Sequence, residues 1–204
     1  MSATSAIDVV LIDSGGANIG SVRYALDRLG VQAQFSADRA RILAATHVIL
    51  PGVGAAGPAM QRLRELGLVE VMRALRQPLL GICLGMQLLY ESSDEGDVEC
   101  LGLLPGRVRK LAGSPRVRVP HMGWNTLSIQ RGSALLDGIE DDSYAYFVHG
   151  YAAPMDAATL ASCTHGETFA AVVRRDHVHG AQFHPERSAA VGQRLLANFL
   201  GLHA

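Results

Sequence analysis

The segment Gly81-Ile82-Cys83-Leu84-Gly85 places a thiol between two glycines, at the point where a short apolar run becomes a helical pattern. Residues 78–82 have the length and apolarity of an interior parallel strand. Along residues 84–90 the apolar positions recur as in a helix with one buried face. This is a thiol version of the strand–turn–helix elbow, in which glycines permit a tight turn that pushes a nucleophile outward. It predicts a parallel sheet with Cys83 at the carboxyl end of one strand.

Cys83 itself has two interpretations. At the first turn of a helix, the helix dipole and the free backbone amides favour the thiolate, which suits a nucleophile. A free cysteine is more often a small buried apolar residue, and a Gly-rich core turn would account for it equally well. The pentapeptide alone therefore does not decide between catalysis and packing.

A second segment, residues 180–188, supplies the partners that a nucleophilic thiol needs. It reads Gly-Ala-Gln-Phe-His-Pro-Glu-Arg-Ser and follows a strand-like run. Residues two apart in an extended segment point the same way, so His184 and Glu186 are expected on one face. His184 is the candidate base, and Glu186 is the group that would orient its ring. Alone, the pair could be incidental on a surface strand; with Cys83 upstream, it is the pattern of a thiol nucleophile.

A third motif is the Gly-rich turn Pro-Gly-Val-Gly-Ala-Ala-Gly at 51–57, directly after the strand-like residues 47–50. Such a turn can aim backbone N–H groups at a developing oxyanion. The amides near Gly52 and Val53, together with that of Leu84 after the nucleophile, are the candidate oxyanion hole. Gly-rich loops also bind phosphate, but no Gly-Lys-Ser/Thr follows here, which argues against a P-loop.

The first half of the chain alternates strand-like and helix-like segments. Repeated β–α units predict an α/β fold with a mainly parallel, open, flavodoxin-like sheet and helices on both faces. Ligands bind such sheets at the carboxyl ends of the strands, where Gly52 and Cys83 fall. The predicted strands are 7–12, 31–35, 47–50 and 78–82, and the predicted helices are 18–29 (capped by Asn18), one ending at 44, 57–66, 68–75 and 84–90.

After Gly96 the segments become shorter and β-like, which predicts antiparallel strands added in the C-terminal half. They cover 107–111, 125–129, 144–149, 159–163, 170–173 and 178–183. A final helix is expected over 188–200, with Ser188 as its cap. Because the chain has 204 residues and no repeat or linker, one domain over 1–204 is expected, with residues 1–6 as a short flexible tail.

Composition argues against several functions. The net charge of −1 gives no basis for binding nucleic acid or a membrane surface. No stretch reaches the roughly 20 apolar residues of a membrane helix, and residues 1–6 lack the features of a signal peptide. The three cysteines, Cys83, Cys100 and Cys163, form no close pair, which favours a reducing, cytoplasmic location. Cys100 and Cys163 are expected to be inert.

Three further features carry weaker signals. The basic, acid-free stretch 107–118 fits a solvated strand pair or, alternatively, docking against an acidic partner. His177 and His179 have a spacing that could suit a metal, but no third ligand is nearby. Trp124 lies in an apparent Gly-Trp-Asn turn, as either a core residue or part of an interface or site lining.

The three chemical motifs together resemble the class I (triad-type) glutamine amidotransferases, which release ammonia from glutamine through a cysteine thioester. Further strings resemble the amidotransferase subunits of imidazole glycerol phosphate synthase, an enzyme of histidine biosynthesis. These strings are Pro-His-Met-Gly-Trp-Asn at 120–125, Tyr-Phe-Val-His-Gly-Tyr at 146–151 and Gly-Met-Gln-Leu-Leu-Tyr-Glu-Ser-Ser at 85–93. The resemblance extends from Asp13 to about Leu200.

The resemblance implies a glutaminase in which Cys83, His184 and Glu186 form the catalytic triad, without a cofactor or a metal. L-Glutamine is the implied substrate, and the residues implied to hold its amide or amino-acid end are Gln87, Glu95, His149, Gly150 and Tyr151. The implied partner is a cyclase subunit with a (β/α)8 barrel, in a 1:1 heterodimer. That subunit uses the ammonia to make imidazole glycerol phosphate and an aminoimidazole carboxamide ribotide.

The chain departs from the family pattern at three places. Asp13 is followed by Ser14 and two glycines rather than by Tyr-Gly. Gly150 stands where Ser or Thr is usual, which puts a side-chain role there in doubt. Ala56 stands where Phe is common, beside the expected oxyanion hole.

Two alternative functions stay open at this point. One is the amidotransferase component of another synthase, such as those for guanylate or pyridoxal phosphate, which the string at 120–125 disfavours. The other is a non-catalytic regulatory subunit on the same scaffold, which the intact Cys83, His184 and Glu186 disfavour. Copurification of a synthase partner distinguishes the first, and alkylation of Cys83 by a glutamine-analogue electrophile distinguishes the second.

Overall fold

The computed structural model describes residues 7–13 and 19–203. Its helices are α1 (Ile19–Asp27), α2 (Arg39–Ala44), α3 (Ala56–Glu65), α4 (Leu68–Ala74), α5 (Leu84–Gln87) and α6 (Ala189–Leu200). Its strands are β1 (Val9–Ile12), β2 (Gln34–Ser36), β3 (His47–Gly52), β4 (Leu79–Cys83), β5 (Ser92–Ser93), β6 (Val98–Glu99), β7 (Arg107–Lys110), β8 (His121–Thr126), β9 (Ser128–Ile129), β10 (Tyr144–His149), β11 (Tyr151–Ala152), β12 (Thr159–His165), β13 (Glu167–Arg175) and β14 (Val178–Ala181). Short 3-10 helices lie at Ala134–Leu136 and Pro185–Arg187.

Within the described residues, the largest sheet has eight strands in the order β2-β1-β3-β4-β14-β13-β12-β9. The neighbours from β2 to β14 are parallel, and β13, β12 and β9 continue the sheet as antiparallel strands. Strands such as β1, with the sequence Val-Val-Leu-Ile, are buried along their whole length, as in other parallel sheets. The predicted α/β fold is confirmed, including its antiparallel C-terminal addition.

Helices cover both faces of this sheet. Leu26 of α1 and Phe199 of α6 belong to one hydrophobic core, and Met60 of α3 and Met72 of α4 belong to another. Strand β1 sends alternate residues into the two cores. Register is therefore strongly specified, because slipping a strand by one residue would exchange the side chains of its two faces.

The helix after Cys83 is shorter than predicted, because α5 ends at Gln87 rather than at residue 90. The Glu91 amide, which would continue the helix by binding the Gln87 carbonyl, donates to the Gly106 carbonyl oxygen at 3.1 Å instead. A contact with a later segment therefore ends the helix, although the local apolar pattern continues.

Two smaller predictions are wrong. Strand β2 begins at Gln34 rather than at residue 31, because the Val31 amide still binds the Leu26 carbonyl after α1. The Ser188 hydroxyl does not cap α6; it donates to the His184 carbonyl at 2.7 Å instead. The predicted cap Asn18, the tail 1–6 and the departure after Asp13 lie outside the described residues.

Strands β8 and β10 form an antiparallel ribbon with two different faces. The turn predicted around Trp124 is wrong: Trp124 lies within β8, and Gly123 beside it has a φ of 137°, which suits glycine and resembles a turn signal in the sequence. One face carries Met122 and Trp124, whose exposed fractions are 66% and 52%. The other face packs His121 and Phe147 into the interior. The ribbon thus presents an apolar surface outward and polar ring nitrogens inward.

Candidate active site

Cys83 is the last residue of β4, and α5 begins at the next residue. Its backbone has φ 53° and ψ −112°, a conformation that costs a non-glycine residue about 1–3 kcal/mol. The glycines on either side allow the turn to pack. A Cβ on Gly85 would lie 1.8 Å from the Leu50 carbonyl oxygen, and one on Gly81 would lie 2.6 Å from the Gly85 carbonyl oxygen. Close backbone packing therefore holds the strained turn, as expected of a nucleophile elbow.

Strand β4 lies between β3 and β14. Gly52 at the end of β3 pairs with Cys83, and Ala181 at the end of β14 pairs with Ile82. The carboxyl ends of these parallel strands consequently bring three segments to one edge of the sheet. These are the Gly-rich turn, the thiol and the segment that carries His184.

His184 and Glu186 contact each other, although they do not lie on a strand as predicted. His184 comes just before the 3-10 turn Pro185–Arg187, and a proline with its fixed φ suits the first position of such a turn. Within it, Glu186 Oε1 accepts a hydrogen bond from His184 Nδ1 at 2.9 Å. With Nδ1 engaged, Nε2 is the nitrogen left to exchange a proton with the thiol.

The thiol and the imidazole interact. Burial opposes a positive charge on His184, but its hydrogen bonds to Cys83 and Glu186 outweigh this effect and raise the pKa of His184 to about 10. An imidazolium at neutral pH stabilises the thiolate, which is the nucleophilic form of cysteine. The Sγ atom also lies 3.7 Å from the Val148 carbonyl oxygen and 3.8 Å from Gln182 Nε2.

A cavity of about 380 Å³ opens beside the thiol. Its lining combines the expected nucleophile and base, the three expected oxyanion residues and two of the expected substrate residues. The lining residues are Gly52, Val53, Gly54, Cys83, Leu84, Pro120, Val148, His149, Gly150, His184 and Arg187. A space of this size is typical of small-molecule sites.

The expected oxyanion residues approach the sulfur from two sides. Leu84 begins α5, so its backbone N–H is one of those without a helical acceptor. Gly52 packs so closely on α5 that a Cβ there would lie 2.3 Å from the Gly85 nitrogen. Val53 follows in the same turn and also lines the cavity. All three residues therefore line the cavity that contains Cys83, and their role as an oxyanion hole stays a prediction.

The expected substrate residues are divided. His149 and Gly150 line the cavity, whereas Gln87 and Tyr151 are outside its lining. Gln87 is buried, and its Nε2 donates to the Tyr151 carbonyl at 2.7 Å and to Gln182 Oε1 at 2.9 Å. Both hydrogens of that amide are therefore already engaged.

Glu95 is also outside the cavity lining. Its Oε2 accepts a hydrogen bond from the Ala56 amide at 2.8 Å, at the start of α3. A carboxylate at a helix N-terminus satisfies an unpaired amide and interacts favourably with the helix dipole. Glu95 thereby ties the segment after β5 to the turn that carries the oxyanion residues.

Hydrogen bonds fix the protons on two buried histidines. The Tyr151 carbonyl lies 2.8 Å from His149 Nδ1, so Nδ1 must donate. His149 Nε2 then accepts from His121 Nδ1 at 3.2 Å, and Asn125 Nδ2 donates to His121 Nε2 at 3.2 Å. Burial lowers the pKa of His121 to about 4 and that of His149 to about 3. Both rings are therefore neutral at pH 7, as this chain of donors requires.

Sequence reasoning missed two residues of the site. Gln182 reaches the sulfur, and the signals that could have found it are its position two residues before His184 and the parallel pairing of β14 with β4. Arg187 lines the cavity, and its guanidinium lies 5.1 Å from the centre of the Tyr146 ring. In the sequence, the only feature that could have indicated Arg187 was its positive charge next to Glu186.

The other sequence features lie away from this cavity. Burial raises the pKa of Cys100 to about 11 and that of Cys163 to about 12, which agrees with their predicted inertness. Arg107, at the start of the basic stretch, forms ion pairs with Asp94 and Asp97. In the described part of the chain, no cluster of three or more His, Cys, Asp or Glu residues could hold a metal ion. Nor does any helix there have the length and apolarity needed to span a membrane.

Comparisons with known proteins agree with this site. A family model described as glutamine amidotransferase class-I matches residues 10–202. A solved glutamine amidotransferase structure superimposes with a TM-score of 0.73 at 22% identity, covering 95% of this chain and 97% of the other. A putative GMP synthase subunit from Thermoplasma acidophilum gives 0.68 at 18% identity, covering 96% and 92%. At these identities the structures support the fold alone.

Relatives found by sequence identify the family more narrowly than the solved structures do. The imidazole glycerol phosphate synthase subunit HisH of Xanthomonas euvesicatoria pv. vesicatoria (strain 85-10) is 64% identical over 193 residues, covering 95% of this chain and 96% of the relative. The subunit of the same name from Xylella fastidiosa (strain Temecula1 / ATCC 700964) is 57% identical over 197 residues, covering 97% and 98%. The chain therefore belongs to the class-I glutamine amidotransferases and, within them, to the HisH family.

Proposed function

We propose that this chain is the glutaminase subunit of an imidazole glycerol phosphate synthase and supplies ammonia for histidine biosynthesis. The observation that carries the proposal is the thiol on a strained elbow, in contact with an imidazole that a carboxylate orients. This constellation suits acyl transfer through a thioester. The HisH relatives favour this synthase over other amidotransferase-dependent ones.

In the first half-reaction, the Cys83 sulfur attacks the side-chain amide carbon of glutamine, and the C–O π electrons move onto the oxygen. The backbone amides of Leu84 and of the Gly52–Val53 turn hold that oxyanion, and one such donor is typically worth about 2.7–4 kcal/mol. As the intermediate collapses, the C–N bond breaks and His184 gives its proton to the leaving ammonia. The products are ammonia and a thioester on Cys83.

In the second half-reaction, His184 takes a proton from water while the water oxygen attacks the thioester carbon. Collapse of this intermediate breaks the C–S bond and releases glutamate, and the sulfur leaves as a thiolate beside the imidazolium. Glu186 keeps the His184 ring in one tautomer and stabilises its positive charge throughout. The balance is glutamine plus water to glutamate plus ammonia.

The substrate's amino-acid end is assigned to the part of the cavity lined by His149 and Gly150. Because Gly150 has no side chain, it would contribute backbone groups only. A direct role of Gln87 would use its Oε1, since both Nε2 hydrogens are donated elsewhere. Glu95 and the Tyr151 backbone would complete the site from just outside the cavity lining.

Replacing Glu186 with Gln should show how much of its effect on His184 comes from its negative charge, because Gln has nearly the same shape. The amide oxygen of Gln can still accept from His184 Nδ1, but it removes the negative charge and so lowers the pKa of His184. With less imidazolium, less thiolate forms and the developing charge is less stabilised, so kcat should fall about 10²–10⁴-fold. Steady-state glutamine hydrolysis in the presence of the cyclase subunit measures this. KM should change little, because Glu186 does not line the cavity.

The control for that variant is Glu70→Gln on α4, whose carboxylate is exposed and pairs with Arg73. It should leave kcat within about twofold, since exposed pairs contribute roughly 0–1 kcal/mol. A Glu186→Gln enzyme with the control's kcat would remove Glu186 from the triad.

The outer face of the β8–β10 ribbon is the proposed docking surface for the cyclase subunit, which is expected to be a (β/α)8 barrel in a 1:1 complex. Met122 and Trp124 are exposed there, and apolar surface of this kind marks interaction sites. Val148 of the same ribbon lines the cavity, as does Pro120 just before it. A partner bound to this face would therefore bury the surface next to the cavity in which ammonia is released.

The test measures complex formation with the cyclase subunit by calorimetry and glutaminase rate with and without the liganded partner. Trp124→Ala should weaken binding about 30-fold or more, as buried interface tryptophans do. The matched pair is Met122→Ala against Met155→Ala, since Met155 is also exposed (42%) but lies outside β8 and β10. Only Met122→Ala should weaken the complex. Equal affinities for all of these variants would move the partner to another face.

We further propose that the chain works in the cytoplasm as one domain. All three cysteines are free and buried, which suits a reducing compartment. The segment carrying the base and the segment carrying the thiol join one sheet, so dividing the chain between them would divide the site.

A further inference from the structure

We propose that Gln182 is an additional catalytic residue, a hydrogen-bond donor to the Cys83 sulfur, and that Gln87 is the positioning residue that fixes its amide. The inference rests on the proposed function and assigns a role to the buried Gln182 amide and to the Nε2 group of Gln87, which substrate binding leaves unexplained. Gln182 is fully buried, and its Nε2 lies 3.8 Å from Cys83 Sγ, a hydrogen-bonding distance for sulfur.

The orientation of the Gln182 amide follows from its other contact. Its Oε1 accepts from Gln87 Nε2 at 2.9 Å. If the amide were turned over, two NH2 groups would face each other and a carbonyl oxygen would face the sulfur lone pairs. That arrangement would leave buried donors unpaired, which is costly. The NH2 group therefore points at the sulfur.

Gln87 is itself locked in place. Its second Nε2 hydrogen goes to the Tyr151 carbonyl at 2.7 Å, and the same carbonyl accepts from His149 Nδ1 at 2.8 Å. Each donor in this network has one acceptor that fits, from the His149 ring to the sulfur. A buried network in which every member is paired is rigid, so the donor stays aimed at Cys83.

The sheet places Gln182 at this position. Ala181 and Ile82 are partners in the parallel pair of β14 and β4, so the next residues along the two strands, Gln182 and Cys83, stand side by side. The Gln182 backbone amide binds the Ala171 carbonyl at 2.9 Å and continues the antiparallel contact with β13. Gln182 is therefore the first residue after β14, and its backbone is still hydrogen-bonded to the central sheet.

A neutral donor adds something that the triad lacks. The groups around the sulfur that carry or exchange charge are His184, Glu186 behind it, and Arg187 and the neutral His149 in the cavity lining. The sulfur is anionic at two points, before it attacks the amide and after the C–S bond breaks. At both points the Gln182 amide adds a second donor beside the His184 imidazolium, and this donor needs no protonation, because hydrogen bonds to anions are stronger than neutral ones.

The experiment follows alkylation of Cys83 by iodoacetamide as a function of pH, with the full chain and its cyclase partner. Gln182→Met keeps the shape and removes the donor, whereas Gln182→Glu places a carboxylate at the sulfur. The pH midpoint of alkylation should rise in the order wild type, Gln182→Met, Gln182→Glu. The rate at pH 7 should fall about fivefold or more in Gln182→Met. Gln77→Met, which removes an amide bound to the Ile42 carbonyl elsewhere, should leave the midpoint unchanged.

An unchanged midpoint in folded Gln182→Met and Gln182→Glu would overturn the proposal. If either variant does not fold, the wild-type complex still decides by NMR of its side-chain amides. As the pH is varied, the Gln182 NH2 resonance should shift with a midpoint equal to that of Cys83 alkylation. This pH-dependent shift should vanish in Cys83→Ala. Persistence of the same shift in Cys83→Ala would reject the contact. Failure of a glutamine-analogue electrophile to label wild-type Cys83 would instead reject the proposed glutaminase function.

Discussion

Cys83→Ala should abolish glutamine hydrolysis while leaving glutamine binding in place. Removing the nucleophile of a triad typically costs about 10⁴–10⁶-fold in kcat, because the remaining members act only through it. Alanine keeps the elbow's backbone and its strain, so the oxyanion donors and the lining of His149 and Gly150 stay where they are. Ammonia release measures turnover, and calorimetry on the complex with the cyclase measures glutamine affinity, which should stay within a few-fold of wild type.

The same substitution at another buried thiol is the matched control. Cys100→Ala removes a sulfur from the second hydrophobic core, outside the catalytic cavity, and should leave kcat near wild type. Substantial hydrolysis by Cys83→Ala would eliminate the thioester route. Loss of glutamine binding in that variant would assign the sulfur to substrate affinity rather than to chemistry.

Gly85→Ala should produce the largest loss of stability among glycine-to-alanine substitutions at this site. Its Cβ would lie 1.8 Å from the Leu50 carbonyl oxygen, and a backbone atom in the central sheet cannot move aside without shifting β3. Overpacking usually costs about 1–3 kcal/mol, and a clash with fixed backbone belongs at or beyond the upper end. At about 2–4 °C per kcal/mol for a chain of this size, Tm should fall by roughly 10 °C.

Gly57→Ala supplies the control, because Gly57 lies in α3 and a Cβ added there would have nothing within 4 Å. Alanine is favoured over glycine in helices by up to about 1 kcal/mol, so this variant should hold or gain stability. Thermal unfolding followed by circular dichroism compares the two. Equal melting temperatures would mean that the elbow relaxes more easily than its contacts imply.

The chemistry of the site was predictable where the residues that carry it are close together in the sequence. The elbow around Cys83 and the pair His184 and Glu186 are short strings that, taken together, predict a nucleophile, a base and an orienting acid, although neither string decides this alone. The α/β alternation likewise predicted which strand ends meet, because parallel strands place their carboxyl ends together. The extended conformation predicted between His184 and Glu186 was wrong, because Pro185 begins a 3-10 turn there.

What could not be predicted depends on contacts between distant segments. Gln182 acts on Cys83 across a separation of 99 residues, and only the register of β14 against β4 brings them together. The length of α5 depends on Gly106, whose carbonyl accepts the Glu91 amide that a longer helix would use. Trp124 was placed in a turn because Gly123 and its neighbours match a turn signal, whereas pairing with β10 decides in favour of a strand. In each case tertiary pairing overrides the local preference.

The central position of β14 has a consequence for how this protein is made. The ribosome delivers the N-terminal strands first, yet the gap between β4 and β13 is filled only when the last strand emerges. A chain that ends before β14 therefore has the proposed thiol nucleophile without its proposed base, and we expect it not to hydrolyse glutamine. Such long-range closure is also slow and leaves sheet edges unpaired for longer, so nascent chains of this protein should depend on chaperones more than compact helical proteins do.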